Sequence, residues 1–266
     1  MSQFFVYCQV YIVETSPTWT VVSRKDFFAP VNTVAFSKHN ERIAVGVEDG
    51  VVTLLDTTDK NYDAVGEIDV SESGVSSLDW TSRNFAVGRN DGSVSVYDTN
   101  QVRSNFCVPL AELLHDGAVV GLAFGPSSRF LAVATDDGLA HVYSAKGGWV
   151  LCHQLTARSG TFSSLSWNAS GRFIALGSLD NKIQMVDTVF WAEVEELEHL
   201  ASSSDESNPN SPSHGGAAVA FSQNGNMLAF TSKDEGLKVI DTNRWKVSFQ
   251  LNQSNEELLE RSMMSM

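Results

Sequence analysis

Apolar and polar residues along this chain alternate in short runs that fall into sets of four. The clearest set lies between His115 and Leu155. Val119 to Phe124 is apolar and stops at Gly125-Pro126; Phe130 to Ala134 follows the turn, and Asp136-Asp137-Gly138 makes the next one. Ala140 to Tyr143 and Trp149 to Cys152 complete the set. Runs of this length, rich in Val, Leu and aromatic residues and broken by Gly, Pro, Asn, Asp or Ser, predict β-strands joined by tight turns. A sheet this small buries too little apolar surface alone, so the pattern calls for copies to pack against it.

The copies are present. First strands end as VNTVAF, VSSLDW, VVGLAF, FSSLSW and GAAVAF, with terminal aromatic residues Phe36, Trp80, Phe124, Trp167 and Phe221. These are spaced 44, 44, 43 and 54 residues apart, the last interval enlarged by an inserted loop. Second strands read IAVG, FAVG, LAVA, IALG and LAFT, and the turns after them EDG, NDG, DDG, LDN and KDEG. Third strands close at Asp56, Asp98, Ser144, Asp187 and Asp241. Three marks at fixed offsets, with a period near 43 residues, predict propeller blades or a similar array.

At these positions the chain resembles the WD-repeat family. The closing Asp matches the family's dipeptide, with its Trp replaced by Leu, Tyr, Val or Ile, and the Asp of the second turn matches the family's structural Asp. The resemblance covers roughly residues 4 to 250. It implies an all-β, WD-repeat-like β-propeller of five complete four-stranded blades plus a half blade at the N-terminus, an incomplete six- or seven-bladed ring. The family's Gly-His before the first strand is missing from most units; His115 (before Asp116-Gly117) and His214 (before Gly215) match it approximately. The buried His–Ser/Thr–Asp–Trp network of the family is therefore expected to be incomplete. Stability then rests more on apolar residues such as Val34, Leu78, Leu122, Leu165 and Val219 packing between neighbouring sheets.

Blades are placed at 31–72, 73–115, 117–157, 160–200 and 216–251 within a domain 1–251, followed by a polar tail 252–266. The opening segment 4–28 is a half blade. Its Val10 to Glu14 aligns with Leu54-Leu55-Asp56, and Trp19 to Val22 with the fourth strands opened by Trp149 and Trp245. It therefore supplies a third and a fourth strand but no first or second, and NQSNEELLERSMMSM at the other end contains no strand pair. Three readings are open: a piece of a longer protein, which is preferred, an arc covered by a partner, or a tight irregular ring.

Charge changes the picture of partners. Eighteen Lys and Arg against 32 Asp and Glu give −14, which repels phosphate backbones and anionic lipid surfaces, so nucleic acid is not an expected partner. No apolar run approaches a membrane span, and Phe4 to Val13 alternates like a strand rather than a signal segment. Cys8, Cys107 and Cys152 have no metal-ligand spacing, and an odd number without a secretory signal points to reduced thiols in the cytoplasm or nucleus. The glycosylation patterns at Asn168 and Asn252 carry no meaning without secretion. Residues 201–215, ASSSDESNPNSPSHG, cannot bury much apolar area and read as a mobile loop. Ser203 and Ser204 beside Asp205 and Glu206 suit an acid-directed kinase and Ser211 before Pro212 a proline-directed one, against the plainer reading of a solvated insertion.

Catalytic chemistry finds little purchase. There is no GxSxG, P-loop, HExxH, CxxC or EF-hand loop, and no cofactor, metal or small-molecule substrate is expected. Cys152-His153 are neighbours on a strand and face opposite ways, which reads as a core thiol beside an exposed imidazole. Glu193, Glu195, Glu196 and Glu198 read as a solvated acidic rim. The Arg that cullin-ligase adaptors of the family often carry two places after the closing Asp is replaced by Thr58, Asn100, Val189 and Asn243. The paired arginines of its lipid-binding propellers are also missing.

In the family's fold, the loops from fourth to first and from second to third strand share one face. There the chain would gather Glu48, Asp49, Asp69, Glu72, Asp91, Asp136, Asp137, Asp180, Asp234 and Glu235, against Lys25, Arg89, Arg158 and Lys233. An acidic rim favours basic peptide segments of other proteins, although Asp before Gly is also what a tight turn wants by itself. The function indicated is a non-catalytic interaction scaffold or adaptor. The alternatives are the regulatory propeller of a larger enzyme, or recognition of a modified residue in a channel lined by the small Thr33, Ser77, Gly121, Ser164 and Ala218.

Overall fold

The computed structural model describes residues 8–15, 19–69, 72–102, 107–158, 160–180, 182–194, 218–232 and 236–251. Every regular element among them is a β-strand. A two-stranded sheet, β1 (Cys8–Glu14) and β2 (Thr20–Phe27), is followed by five four-stranded ones. These are β3 (Val31–Phe36), β4 (Arg42–Val47), β5 (Val51–Asp56), β6 (Ala64–Asp69); β7 (Val75–Trp80), β8 (Asn84–Arg89), β9 (Ser93–Asp98), β10 (Ala111–Leu114); β11 (Val119–Phe124), β12 (Phe130–Thr135), β13 (Leu139–Ser144), β14 (Val150–Thr156); β15 (Phe162–Trp167), β16 (Phe173–Ser178), β17 (Ile183–Asp187), β18 (Ala192–Glu193); and β19 (Val219–Phe221), β20 (Met227–Ser232), β21 (Gly236–Asp241), β22 (Lys246–Leu251). Each sheet is a meander of strands in chain order. The terminal aromatic residues hold equivalent places: Phe36 pairs with Ile43, Trp80 with Phe85, Trp167 with Ile174 and Phe221 with Leu228.

The repeated Asp residues close turns. In the second-to-third-strand turn, Oδ1 of Asp49, Asp91, Asp137 and Asp180 accepts the N–H two residues on, at 2.9 to 3.3 Å. Asp56, Asp98, Asp187 and Asp241 do the same after the third strand, at 2.7 to 2.9 Å. The Thr that follows each of these four returns its own N–H to the residue before the second strand (Thr57 to Glu41, Thr99 to Arg83, Thr188 to Arg172, Thr242 to Asn226). These are Asx turns, in which a short carboxylate replaces a backbone acceptor. Bulky aromatic residues open the fourth strands in the left-handed region, Trp149 at φ 65°, Trp191 at 51° and Trp245 at 51°. That conformation is costly for a large side chain. The rings hold it by packing on Phe124, Phe130 and Phe173, at centroid distances of 5.7, 6.0 and 5.3 Å.

Two compact units make up the chain, residues 1–124 with 144–150 and residues 125–143 with 151–266. In the first, Ile12 of β1 packs on Ile43, Val45, Val47 and Leu55. The opposite face of the β3–β6 sheet, through Ala44, Val52 and Leu54, packs on Val75, Leu78, Trp80 and Phe85. Glycine permits this approach: a Cβ on Gly46 would stand 2.5 Å from Val75 Cγ1, and one on Gly88 2.7 Å from Val119 Cγ1. Polar clasps join successive first strands. Ser77 Oγ accepts the Leu122 N–H at 3.1 Å and Asp79 Oδ2 the Phe124 N–H at 2.6 Å. In the second unit Ser164 and Ser166 accept the N–H groups of Val219 and Phe221, each at 3.1 Å, over a core of Ala175, Met185, Leu228, Phe230 and Ile240.

The first unit departs from expectation at Val34. Leu78, Leu122 and Val219 are buried between sheets and Leu165 is half-buried, but Val34 is 52% exposed and its neighbour Phe36 58%. Elsewhere the first strand rests on the second strand of the sheet before it. The sheet before β3 contains only β1 and β2, so nothing among the described residues covers Val34 and Phe36.

Two outcomes follow. Trp167→Ala should cost about 3–5 kcal/mol in a chemical melt and Phe36→Ala less than about 1, although the two residues are equivalent in the repeat. Asp79 is pushed up to about 6 by burial, against the opposing N–H bonds from Phe124 and Trp80 and the charge of Lys38. The folded protein therefore binds this proton more tightly than the unfolded chain. That contribution to stability is greatest below the ordinary carboxylate range, falls as pH rises toward about 6, and is flat above it. Relative to wild type, Asp79→Asn should gain on the order of 1–3 kcal/mol between pH 4 and pH 7, read as the difference between paired melts.

Candidate interaction surface

The acidic residues expected on one face are mostly at the surface, and most are engaged in turns. Asp49, Asp91, Asp136 and Asp137 are exposed and Asp180 is half-buried. Asp91 also takes the Ser93 hydroxyl, Asp137 the Thr135 hydroxyl at 2.5 Å, and Asp180 the Ser178 hydroxyl, with Lys182 Nζ 3.6 Å away. Burial pushes the Asp91 carboxyl up, but the Ser93 hydroxyl and N–H, helped by Arg89, more than offset this and hold it below its ordinary value. Glu48 Oε2 accepts Asn32 Nδ2 at 2.5 Å, and the same amide donates to Val75 O at 3.1 Å. Asp234, Glu235 and Lys233, with Ser203, Ser204, Ser211 and the rest of 201–215, lie outside the described residues, as do Glu195, Glu196 and Glu198.

Three basic residues expected beside them are occupied. Arg89 is not on the rim: it is 4% exposed, donates to Ser93 Oγ at 2.5 Å and to Ser95 Oγ, and lies 3.8 Å from Glu112 Oε2. It stands at the last place of β8, where the strand still packs inside the sheet stack. Arg158 Nε donates to Glu193 Oε2 at 2.8 Å. Lys25 Nζ donates to Asn61 O at 2.9 Å and sits 3.8 Å from Asp63 Oδ1.

A cleft of about 350 Å³ in the first unit concentrates part of this charge. It runs between β2 with the Phe28-Ala29 turn and strands β5 and β6, and it is lined by Asp26, Asp49, Glu67, Lys25 and Phe28. Asp26 is paired with Arg24 at 3.1 Å and Lys25 is held as above, so Asp49 and Glu67 set the sign of the free field. Phe28, 80% exposed, offers an apolar edge.

Other candidates have structural roles. Ser77 and Ser164, expected to leave room in a channel, are the clasp acceptors. The Cys152-His153 reading is reversed: Cys152 is exposed with Sγ 3.1 Å from Val142 O, and His153 is half-buried, stacked on Trp191 at 3.8 Å. Desolvation raises the Cys152 thiol and lowers the His153 imidazole, the opposite of an activated pair. Asn168 is buried with Nδ2 bonded to Gly225 O at 2.9 Å. No group of three or more His, Cys, Asp or Glu suited to a metal occurs among the described residues.

The turn role and the charge of these carboxylates separate by substitution. Asp137→Ala should lower stability by about 1–3 kcal/mol through the loss of the Thr135 and Leu139 bonds, and Asp137→Asn, which keeps an acceptor, should melt close to wild type.

A family model described as WD domain, G-beta repeat matches residues 107–144 and 149–187. Gem-associated protein 5 of Homo sapiens is 28% identical over 197 residues, which are 63% of this chain and 13% of that protein, so the chain spans a small part of this relative's length. Among solved structures, a chain of the crystal structure of the mitotic checkpoint complex matches with a TM-score of 0.72 over 93% of this chain and 74% of that one. At 16% identity this likeness is one of fold. Residues 107–144 and 149–187 thus carry WD repeats, the other four-stranded sheets repeat their strand order, and the fold is like that of a solved propeller.

Proposed function

We propose that the protein is a non-catalytic interaction scaffold that docks basic segments of other proteins against its acidic turns. WD-repeat propeller proteins generally act as protein-interaction scaffolds, and the two similar proteins are named for assemblies. The observation that carries the finer reading is the cleft between β2 and β5–β6. Its lysine is already held by Asn61 and Asp63, leaving Asp49 and Glu67 to meet an incoming cation beside the exposed Phe28 ring. A segment with Lys or Arg flanking an apolar residue suits that lining. The net charge of −14 adds a long-range attraction that speeds encounter. The reading places the protein in the reducing cytoplasm or nucleus, with Cys8, Cys107 and Cys152 as thiols.

A fluorescent Lys- and Arg-rich peptide with a central Leu tests the proposal. Its affinity should fall steeply from low to physiological salt, and Asp49→Asn with Glu67→Gln should weaken it about 3- to 10-fold, as expected for partly screened rim charges. Binding that ignores both changes would remove the acidic surface from the account.

A further inference from the structure

The turn between β3 and β4 carries more positive charge than its geometry needs. Ser37 O accepts the Asn40 N–H at 2.9 Å, Ser37 Oγ accepts the Arg42 N–H at 3.0 Å, and Asn40 supplies the left-handed residue at φ 55°. Lys38 and His39 between them are exposed, and neither side chain makes a hydrogen bond or ion pair with the described residues. The corresponding turns at 81–83, 125–129, 168–172 and 222–226 hold a single arginine or no cation. Turn closure accounts for most of the acidic residues described above, but not for this cationic pair. Both residues line a cleft of about 250 Å³ between the β3–β4 turn and the next sheet, and each of these two sheets has all four strands. Arg42, Ser82 and Asn100 add donors to the lining, and Glu41 is its single carboxylate. Two carboxylates close by in sequence are engaged elsewhere. Asp98 accepts the Asn100 N–H at 2.8 Å, and the buried Asp79 accepts the Trp80 and Phe124 N–H groups at 2.8 and 2.6 Å. Trp80 lines the same cleft, is 6% exposed, and its Nε1 meets no acceptor among the described residues. An indole N–H dipole that no protein oxygen neutralises leaves this wall positive.

We propose that this cleft binds the phosphoryl group of a phosphorylated serine or threonine in a partner protein. The donor set selects the group. Two fixed cations, an imidazole, a hydroxyl and an amide come from three separate chain segments, which suits the three terminal oxygens of a phosphoryl group better than the two of a carboxylate. The chain as a whole selects how that group is carried. A net charge of −14 repels a run of phosphates or an anionic bilayer at long range, whereas one phosphoryl group on a peptide meets little of that opposition and is held by short-range contacts. The β3–β4 turn and the Asp49 turn lie at opposite ends of β4. This site is therefore separate from the acidic cleft, and its chemistry is the reverse.

The test titrates a short Ala- and Gly-based peptide with one central phosphoserine into the isotope-labelled full chain, followed by NMR, which registers weak binding and locates it. Saturable shifts are expected at the Lys38, His39, Ser82 and Asn100 amides and at the Trp80 indole N–H, and none with the unphosphorylated twin. Lys38→Ala with His39→Ala should weaken the phosphopeptide about tenfold or more, and Asp49→Asn with Glu67→Gln should leave it unmoved. Both replaced side chains lie outside the turn's hydrogen bonds, so the Lys38 and His39 variant should melt like the wild type, which separates lost binding from lost folding. No saturable shifts, an equal response to the unphosphorylated twin, or binding indifferent to Lys38→Ala with His39→Ala overturns the proposal. So does inorganic phosphate binding as tightly as the phosphopeptide, since the site then takes the free anion. Displacement of the peptide by lower concentrations of oligothymidylate, or of phosphatidylcholine vesicles carrying a phosphatidylinositol phosphate, overturns it as well, since the partner is then a nucleic acid or a membrane.

Discussion

The fold depends on how closely one sheet can approach the next. Each four-stranded unit is too thin to shield both faces, so the first strand of one sheet must press into the second strand of its predecessor. The contact works because the receiving position is small. With hydrogen alone at Gly46 and Gly88, Val75 and Val119 come close enough to exclude water, and the apolar area removed dominates stability at ~25 cal/mol per Å². Once the strands are this close, their backbone N–H groups lose water and need replacement acceptors. Ser77, Asp79, Ser164 and Ser166 supply them. Three of these acceptors are hydroxyls that carry no charge. Asp79 is a carboxylate, and its desolvation is the cost of using one.

Electrostatics follow from the same geometry. A meander of short strands needs many tight turns, and an Asp two places before the N–H it accepts closes them at little steric cost. The acidic character of the chain is in good part the accumulated chemistry of its turns. This explains why so many surface carboxylates are already engaged, and why a free negative field persists where the turn carboxylate faces an open cleft, as Asp49 does. Buried arginine obeys the complementary rule: Arg89 enters the sheet stack because Ser93, Ser95 and Glu112 meet its guanidinium there.

Much of this was legible in the chain. Strand positions, the Asp-Gly turns, the closing Asp and the aromatic openings at Trp149 and Trp245 are local patterns, and local patterns survive folding. What was not legible concerned neighbours in space. IAVG and FAVG display a small fourth residue without saying which valine it receives. The Thr after each closing Asp is a local mark of the paired turn. Ser77 and Ser164 read as space-makers because nothing local shows that Leu122 and Val219 present orphaned N–H groups. Alternation predicts that Cys152 and His153 face opposite ways but not which way is inward, and Trp191, 38 residues later, decides it. Phe36 and Trp80 are indistinguishable by pattern, and their different fates are set by the sheet that precedes each.

The left-handed tryptophans give this array a direction in time. Trp149, Trp191 and Trp245 each adopt a backbone conformation that is unfavourable until the ring is seated, and each seat is a phenylalanine that leaves the ribosome earlier: Phe124, Phe130 and Phe173. A fourth strand therefore cannot settle ahead of the elements behind it. Growth from the amino end meets prepared seats, and growth from the carboxyl end meets none, so vectorial synthesis and the strain in three peptide units favour the same order of assembly.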